Sequence, residues 1–107
     1  MKKGEVWLTD FPQGKGFEQY GIRPALVVAG ANGLVTVIPF TTNLGSESLD
    51  FTLAFESRAE NGLTQNSVLL IYQIGSLDES RLKRKLGWIP QEQRAEINEM
   101  LKTFLKL

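Results

Sequence analysis

Residues 23–40 read RPALVVAGANGLVTVIPF, and the fold turns on this stretch. Residues 23–29 are nearly all apolar, as a strand covered on both faces requires. Residues 34–40 are rich in Val, Ile and Thr, which pack well on a pleated surface. Between the two runs stands Asn32-Gly33, whose tolerance of positive φ makes it the strongest short signal for a two-residue hairpin turn. Paired through that turn, the runs bring Arg23 and Thr41 to the same open end, where facing residues have Cα atoms about 5 Å apart. An obligate cation at the mouth of a core strand is the feature that asks for a purpose.

Outward from the hairpin the chain reads mostly as short strands. Glu5–Phe11 alternates Val6 and Leu8 with Trp7 and Thr9, the pattern of a half-buried strand. A loop containing Pro12, Gly14, Gly16 and Gly21 follows. Beyond Phe40, residues 41–47 form a polar turn, residues 49–55 alternate as another strand, and Glu60-Asn61-Gly62 marks the next turn. Residues 67–74 read as a further buried strand whose polar exception is Gln73. Residues 78–82 suit one helical turn, and residues 85–89 a short last strand.

From Pro90 the period changes. Ile97, Met100, Leu101, Phe104 and Leu105 make one apolar stripe at helical spacing. Pro90 suits the first helical position, and Glu92 and Lys102 complement the helix dipole at its two ends. Such a helix is marginal alone and must pack on the sheet or on a partner. Strands followed by one terminal helix predict a mainly β fold: a small, partly open antiparallel barrel with a C-terminal helix, one domain over residues 1–107.

Composition removes whole classes of function. A chain of 107 residues buries roughly two-thirds of its unfolded surface. Its 42% hydrophobic and 22% charged residues belong to a folded domain rather than a disordered one. With no Cys and no His, disulfides, thiolate metal sites and His-based triads are excluded. A carboxylate-only metal site stays open, but Asp and Glu are scattered without metal-ligand spacing, and no metal or other cofactor is expected. No apolar segment follows Met1-Lys2-Lys3, and no run approaches the ~20 residues of a membrane span. A cytoplasmic protein is expected, with no membrane partner.

A formal net charge of zero and a pI of about 6.3 argue against indiscriminate nucleic-acid binding. The basic cluster Arg81, Lys83, Arg84 and Lys85 reads first as a solvated face. Gly14-Lys15-Gly16 lacks the spacing and the Lys-Ser/Thr pair of a phosphate-binding P-loop.

What remains is a polar constellation at the open end of the hairpin. Glu18, Gln19 and Arg23 lie on one side, Thr41, Thr42 and Asn43 on the other. A guanidinium and a hydroxyl placed there can converge on one anion. The alternative is structural: Arg23 pairs with Glu18 or caps loop carbonyls, and Thr41-Thr42 merely make an exposed polar turn. Phe17 and Tyr20 flank Glu18, where they either stack unpaired bases or fold back onto the core.

The pattern resembles the MazF/PemK toxins. The matching features are Gly4-Glu5-Val6-Trp7, Gly16, Glu18-Gln19, Gly21, Arg23-Pro24-Ala25-Leu26-Val27, Pro39-Phe40-Thr41-Thr42, Gln73-Ile74, Asp78, Arg81-Leu82 and the C-terminal helix, spread over nearly the whole chain. The resemblance implies an SH3-like barrel that forms a homodimer. It implies a cytoplasmic endoribonuclease of a type II toxin–antitoxin pair, cutting single-stranded RNA such as mRNA at short sequences without a metal. An acidic, partly disordered antitoxin segment would occupy the RNA groove.

Carried over by position, the family's functional Arg falls on Arg23, its strand-end Thr on Thr41 and its loop Glu on Glu18. Candidate substrate contacts are Phe17, Gln19, Tyr20, Thr42, Asn43 and Gln73. Glu18 is cast as base or positioner, two roles in tension, because a nearby Arg lowers a carboxylate's pKa and weakens it as a base. The chain departs from the PemK branch at four places. Phe17 stands where that branch has an acid–base His, Leu70 and Tyr72 where it has an Arg and an Asp, and Gly75 where an Arg is common. The PemK acid–base assignment therefore does not transfer. Two other readings keep the barrel and drop the chemistry. One is a noncatalytic module binding RNA or an antitoxin, which the missing His and Arg–Asp pair favour. The other is a gyrase poison of the CcdB group, whose C-terminal tip residues 103–107 do not resemble.

Overall fold

The hairpin turn forms as the sequence predicts: Asn32 and Gly33 hold φ of 56° and 81°, the left-handed pair that a two-residue turn needs. The computed structural model describes residues 1–13 and 20–107. Among these the strands in chain order are β1 (Glu5–Phe11), β2 (Gly21–Ala31), β3 (Leu34–Thr41), β4 (Thr52–Phe55), β5 (Ser67–Leu70), β6 (Gly75–Asp78) and β7 (Leu82–Trp88). The helix α1 (Gln91–Leu105) follows. Every pairing is antiparallel, in the order β4-β5-β3-β2-β1-β7, with β6 laid along β3. Among the described residues β4 and β7 end this path without pairing with each other. The result is a mainly β, open antiparallel barrel.

Alternate side chains of the central hairpin feed two cores. Leu26, Ile38 and Phe40 join Phe55, Leu69 and Ile97 in one cluster, while Ala25, Val27, Val35 and Val37 join Phe11 and Leu77 in the other. Each fully buried Val, Leu or Phe contributes about 1.5–3 kcal/mol relative to exposure. Burial of β2 on both faces holds only over residues 25–27, since Ala29, Gly30 and Ala31 are exposed. The β2–β3 register shifts between Val27 and Ala29. Such a bulge bends the strand and swings its end away from the core.

Elsewhere the chain breaks expected strands. The run 67–74 is not one strand: β5 ends at Leu70, residues Ile71–Gln73 make a 3-10 turn, and β6 begins at Gly75. The reason is that β3 has two partners besides β2. Its end pairs with β5 through Phe40↔Leu69 and Thr41↔Val68, and its beginning pairs with β6 through Leu34↔Asp78 and Val37↔Gly75. The turn carries the chain from one to the other. Likewise the strand expected over 49–55 starts only at Thr52. Residues Leu44–Ser48 form a 3-10 helix capped by Asn43, and Phe51 takes a left-handed φ of 59°. The turn expected over 78–82 is a 3-10 helix at Glu79–Arg81, and β7 begins earlier than expected, at Leu82.

The helix docks as its stripe requires, with one exception. Ile97 is buried, Met100 and Leu101 pack on the first core, and Phe104 meets Phe51 at 5.1 Å between ring centroids. Leu105, expected on the same stripe, is exposed at the last residue of the helix. Pro90 is extended (φ −64°, ψ 155°) and precedes the helix instead of opening it. Among the described residues no helix is long and apolar enough to cross a membrane.

Candidate functional site

Arg23 sits two residues inside β2, opposite Thr9 of β1. Thr9 is fully buried, so the backbone beneath the guanidinium is held by the sheet. On the other side β3 ends at Thr41, opposite Val68 of β5. Continuing the Ala25↔Pro39 register by two residues sets Arg23 level with Thr41. Neither Pro24 nor Pro39 can donate an amide hydrogen, so the ladder thins at this end. There a cleft of about 240 Å³ opens, and Arg23, Thr41, Thr42, Thr64, Gln65 and Ser67 line it over a floor that includes Phe40 and Leu63.

The geometry assigns these residues different freedoms. Arg23 is half-buried, and its Nε–H donates to the Tyr20 carbonyl at 3.3 Å. The structural alternative, in which Arg23 caps a loop carbonyl, is thus realised in part. Thr41 is only 8% exposed, unlike the exposed turn residue the sequence suggested. Its Oγ1 accepts the Asn43 N–H at 3.1 Å. Thr42 is exposed in the cleft. Asn43 turns its Oδ1 away to the Gly45 N–H at 3.2 Å, capping the 3-10 helix. Tyr20 is exposed and supplies its carbonyl to Arg23. Gln73 is buried and does not line the cleft, and its Nε2 donates to the Tyr72 hydroxyl at 3.3 Å. Phe17, Glu18 and Gln19 lie outside the described residues, as does Gly14-Lys15-Gly16.

Three polar cleft residues, Thr64, Gln65 and Ser67, escaped the sequence reading. The only signal there was the turn at Glu60-Asn61-Gly62, which announces a loop but gives no hint that the loop reaches Arg23.

The basic cluster is largely occupied with the sheet. Arg81 pairs with Asp10 at 3.3 Å, Lys85 with Glu5 at 2.9 Å, and Lys83 Nζ donates to the Ser80 carbonyl at 3.3 Å. Burial opposes ionisation of Glu5, but the Trp7 indole N–H, the Lys85 ammonium and the Lys2 N–H outweigh it. Its pKa is held down at about 2. Asp78 is also lowered, chiefly by the Ser80 N–H that it accepts as a helix cap. Among the described residues no group of three His, Cys, Asp or Glu side chains is placed to hold a metal ion.

The open antiparallel barrel that carries this cleft is a fold shared with solved toxin structures. The chain belongs to the PemK-like, MazF-like toxins of type II toxin–antitoxin systems, which it matches over residues 2–105. It is 30% identical over 112 residues to the endoribonuclease MazF of Staphylococcus saprophyticus, covering 100% of this chain and 92% of that protein. The crystal structure of MazF from Deinococcus radiodurans superposes with a TM-score of 0.82 at 26% identity, covering 100% of this chain and 97% of that one. The MazE–MazF crystal structure from the same organism gives a TM-score of 0.71 at 31% identity, over 97% and 93% of the two chains.

Proposed function

We propose that this protein is the endoribonuclease toxin of a type II toxin–antitoxin pair, cutting single-stranded RNA in the cytoplasm. The observation that carries the reading is the meeting of Arg23 and Thr41 in one cleft at the strand ends, in a chain of this family. The nucleophile is the substrate's own 2′-OH. Its oxygen bonds to the adjacent phosphorus as the bond to the 5′-oxygen breaks. One proton leaves the 2′-OH and one is taken up by the departing 5′-oxygen. The products are a 2′,3′-cyclic phosphate and a 5′-OH.

The protein's part is to position the strand and to neutralise charge growing on the phosphate oxygens. Arg23 suits that task, because a guanidinium stays protonated and offers two parallel donors to phosphate. Thr41 accepts the Asn43 N–H through its oxygen, and its own O–H is proposed as the second donor. Glu18 is proposed as base or positioner, with Phe17, Gln19, Tyr20, Thr42 and Asn43 as further contacts to the strand. Gln73, away from the cleft, would meet RNA only along a longer path. A nucleophile built into the substrate needs no metal-bound water.

The active species is proposed to be a homodimer, silenced by an acidic antitoxin segment lying over the same cleft. A fixed cation and loop polar groups suit such a segment as they suit RNA. The first test is incubation of the purified protein with single-stranded RNA in EDTA, with analysis of the product ends. Cyclic phosphate and 5′-OH termini are expected. Loss of all cutting in EDTA with recovery on adding magnesium would overturn the mechanism, and binding without cutting would favour the noncatalytic module. Sedimentation of a fully active monomer at micromolar concentration would overturn the dimer.

A further inference from the structure

We propose that Thr64 and Gln65 are the residues with which the cleft selects a nucleobase beside the bound phosphate, an inference that rests on the ribonuclease reading above. Base reading needs a polar side chain that is exposed, uncommitted and mounted on backbone that does not move. Such a residue loses only its own rotamer freedom on binding. These two meet all three conditions.

The backbone of their loop is fixed at nearly every step. Asn61 is 3% exposed, its Oδ1 accepts the Arg58 N–H at 3.1 Å and the Leu63 N–H at 3.0 Å, and its Nδ2 donates to the Glu56 carbonyl at 2.9 Å. Ser57 grips the far side. Its hydroxyl donates to the Leu63 carbonyl, and its N–H donates to Asn66 Oδ1 at 2.9 Å. Leu63 itself is buried in the first core. The buried Ser67 hydroxyl then donates to the Gln65 carbonyl at 2.9 Å.

Every one of these bonds leaves the Thr64 and Gln65 side chains aside. Both residues are exposed on the cleft wall, and among the described residues neither side chain has a hydrogen-bond partner. Their chemistry points to a base more than to a phosphate. Neither is charged, and among the described residues the cation lining the cleft is Arg23. A Gln amide offers a donor and an acceptor side by side, and a Thr hydroxyl can act as either. These complement the Watson–Crick edge of an unpaired base, the part of single-stranded RNA that proteins read.

The test compares the wild type with Gln65→Ala, Gln65→Glu and Thr64→Val on a pool of random single-stranded RNA. Both the cleaved sites and the RNA retained by each protein are sequenced. Gln65→Ala is expected to flatten the base preference at one position flanking the cut by about 10-fold, the discrimination of one good bidentate contact. Preferences elsewhere should stand. Gln65→Glu, which can only accept, should shift that same position toward bases bearing an exocyclic amine, a change that misfolding does not produce. Cleavage with an unaltered base profile in both Gln65 variants overturns the inference while leaving the nuclease intact. A wild type that retains RNA without cutting, with retention altered at one position by Gln65→Glu, keeps the inference and overturns the nuclease. Neither cutting nor selective retention overturns both.

Discussion

Val28 is an extra residue in the β2–β3 ladder, and the register beyond it, continued past the last pair Ala25↔Pro39, sets Arg23 level with Thr41. Near the turn the pairs are Ala31↔Leu34, Gly30↔Val35 and Ala29↔Thr36, a register that would oppose Arg23 to Thr42. Past Val28 the pairs become Val27↔Val37, Leu26↔Ile38 and Ala25↔Pro39, and the same count now reaches Thr41. A one-residue slip exchanges the two faces of a strand. The bulge therefore decides which of two neighbouring threonines shares a level with the guanidinium.

From this placement, Arg23→Ala is expected to lower the single-turnover cleavage rate about 10²- to 10³-fold, the scale for removing one preorganised donor to a developing oxyanion. Arg23→Lys should recover only part of the rate, since it keeps the charge and loses the planar fork. Thermal unfolding should change little, because Arg23 is half-exposed at a strand end. Rate and melting temperature measured on one preparation check both. An Arg23→Ala protein that is folded and cuts at the wild-type rate removes Arg23 from the site.

Thr41 should behave differently from Arg23 in stability. It is nearly buried, and its oxygen receives the Asn43 N–H at 3.1 Å. Thr41→Ala leaves that N–H without its acceptor, so a loss of about 1–2 kcal/mol is expected in urea unfolding. The rate should fall less than for Arg23→Ala, as a neutral donor is weaker than a charged one. Thr41→Ser keeps the oxygen and should restore most of both. Equal stability of Thr41→Ala and wild type would show that water replaces the lost acceptor.

The hairpin, the helix and the pair Arg23 and Thr41 were legible because each rests on local chemistry: a turn dipeptide, a 3.6-residue period, a charge at a strand mouth. What escaped was set by partners distant in sequence. The run 67–74 is apolar throughout, so periodicity gave no sign of the 3-10 turn that moves the chain along β3. The bulge at Val28 has no Gly or Pro to mark it. Thr64 and Gln65 look like any polar loop residues until the asparagines on either side, Asn61 and Asn66, are seen fastening that loop.

The same loop yields a steric prediction. A Cβ on Gly62 would lie 2.1 Å from the Leu86 carbonyl oxygen, in a backbone held at φ +70°. A Cβ on Gly33 meets nothing within 4 Å, although φ there is +81°. Gly33→Ala thus measures conformational strain alone, expected at about 1–2 kcal/mol. Gly62→Ala adds a clash with backbone and should cost more, about 3 kcal/mol or above. Denaturant unfolding of the two variants side by side checks the order. Equal losses would mean that the loop can retreat from β7, contrary to the fixed mount proposed for Gln65.

The last prediction concerns acid. Glu5 accepts the Lys2 N–H at 2.7 Å and the Trp7 indole N–H at 3.0 Å, and pairs with Lys85 at 2.9 Å across β1 and β7. Burial alone would raise its pKa, but these three donors outweigh it and bring the value from 4.5 to about 2. A carboxylate depressed on folding adds stability that is fully present above its unfolded pKa. That stability drains away as the pH falls toward the folded value. Unfolding free energy should therefore hold steady above pH 4.5 as far as Glu5 is concerned and decline between 4.5 and about 2. Asp78, also depressed, adds to the same trend. Glu5→Gln removes the titrating group while leaving an oxygen for the Trp7 and Lys2 donors. It should lower stability at neutral pH and flatten the acid slope. Urea titrations of both proteins across that window decide it, and an undiminished slope in Glu5→Gln would assign the acid loss to other carboxylates.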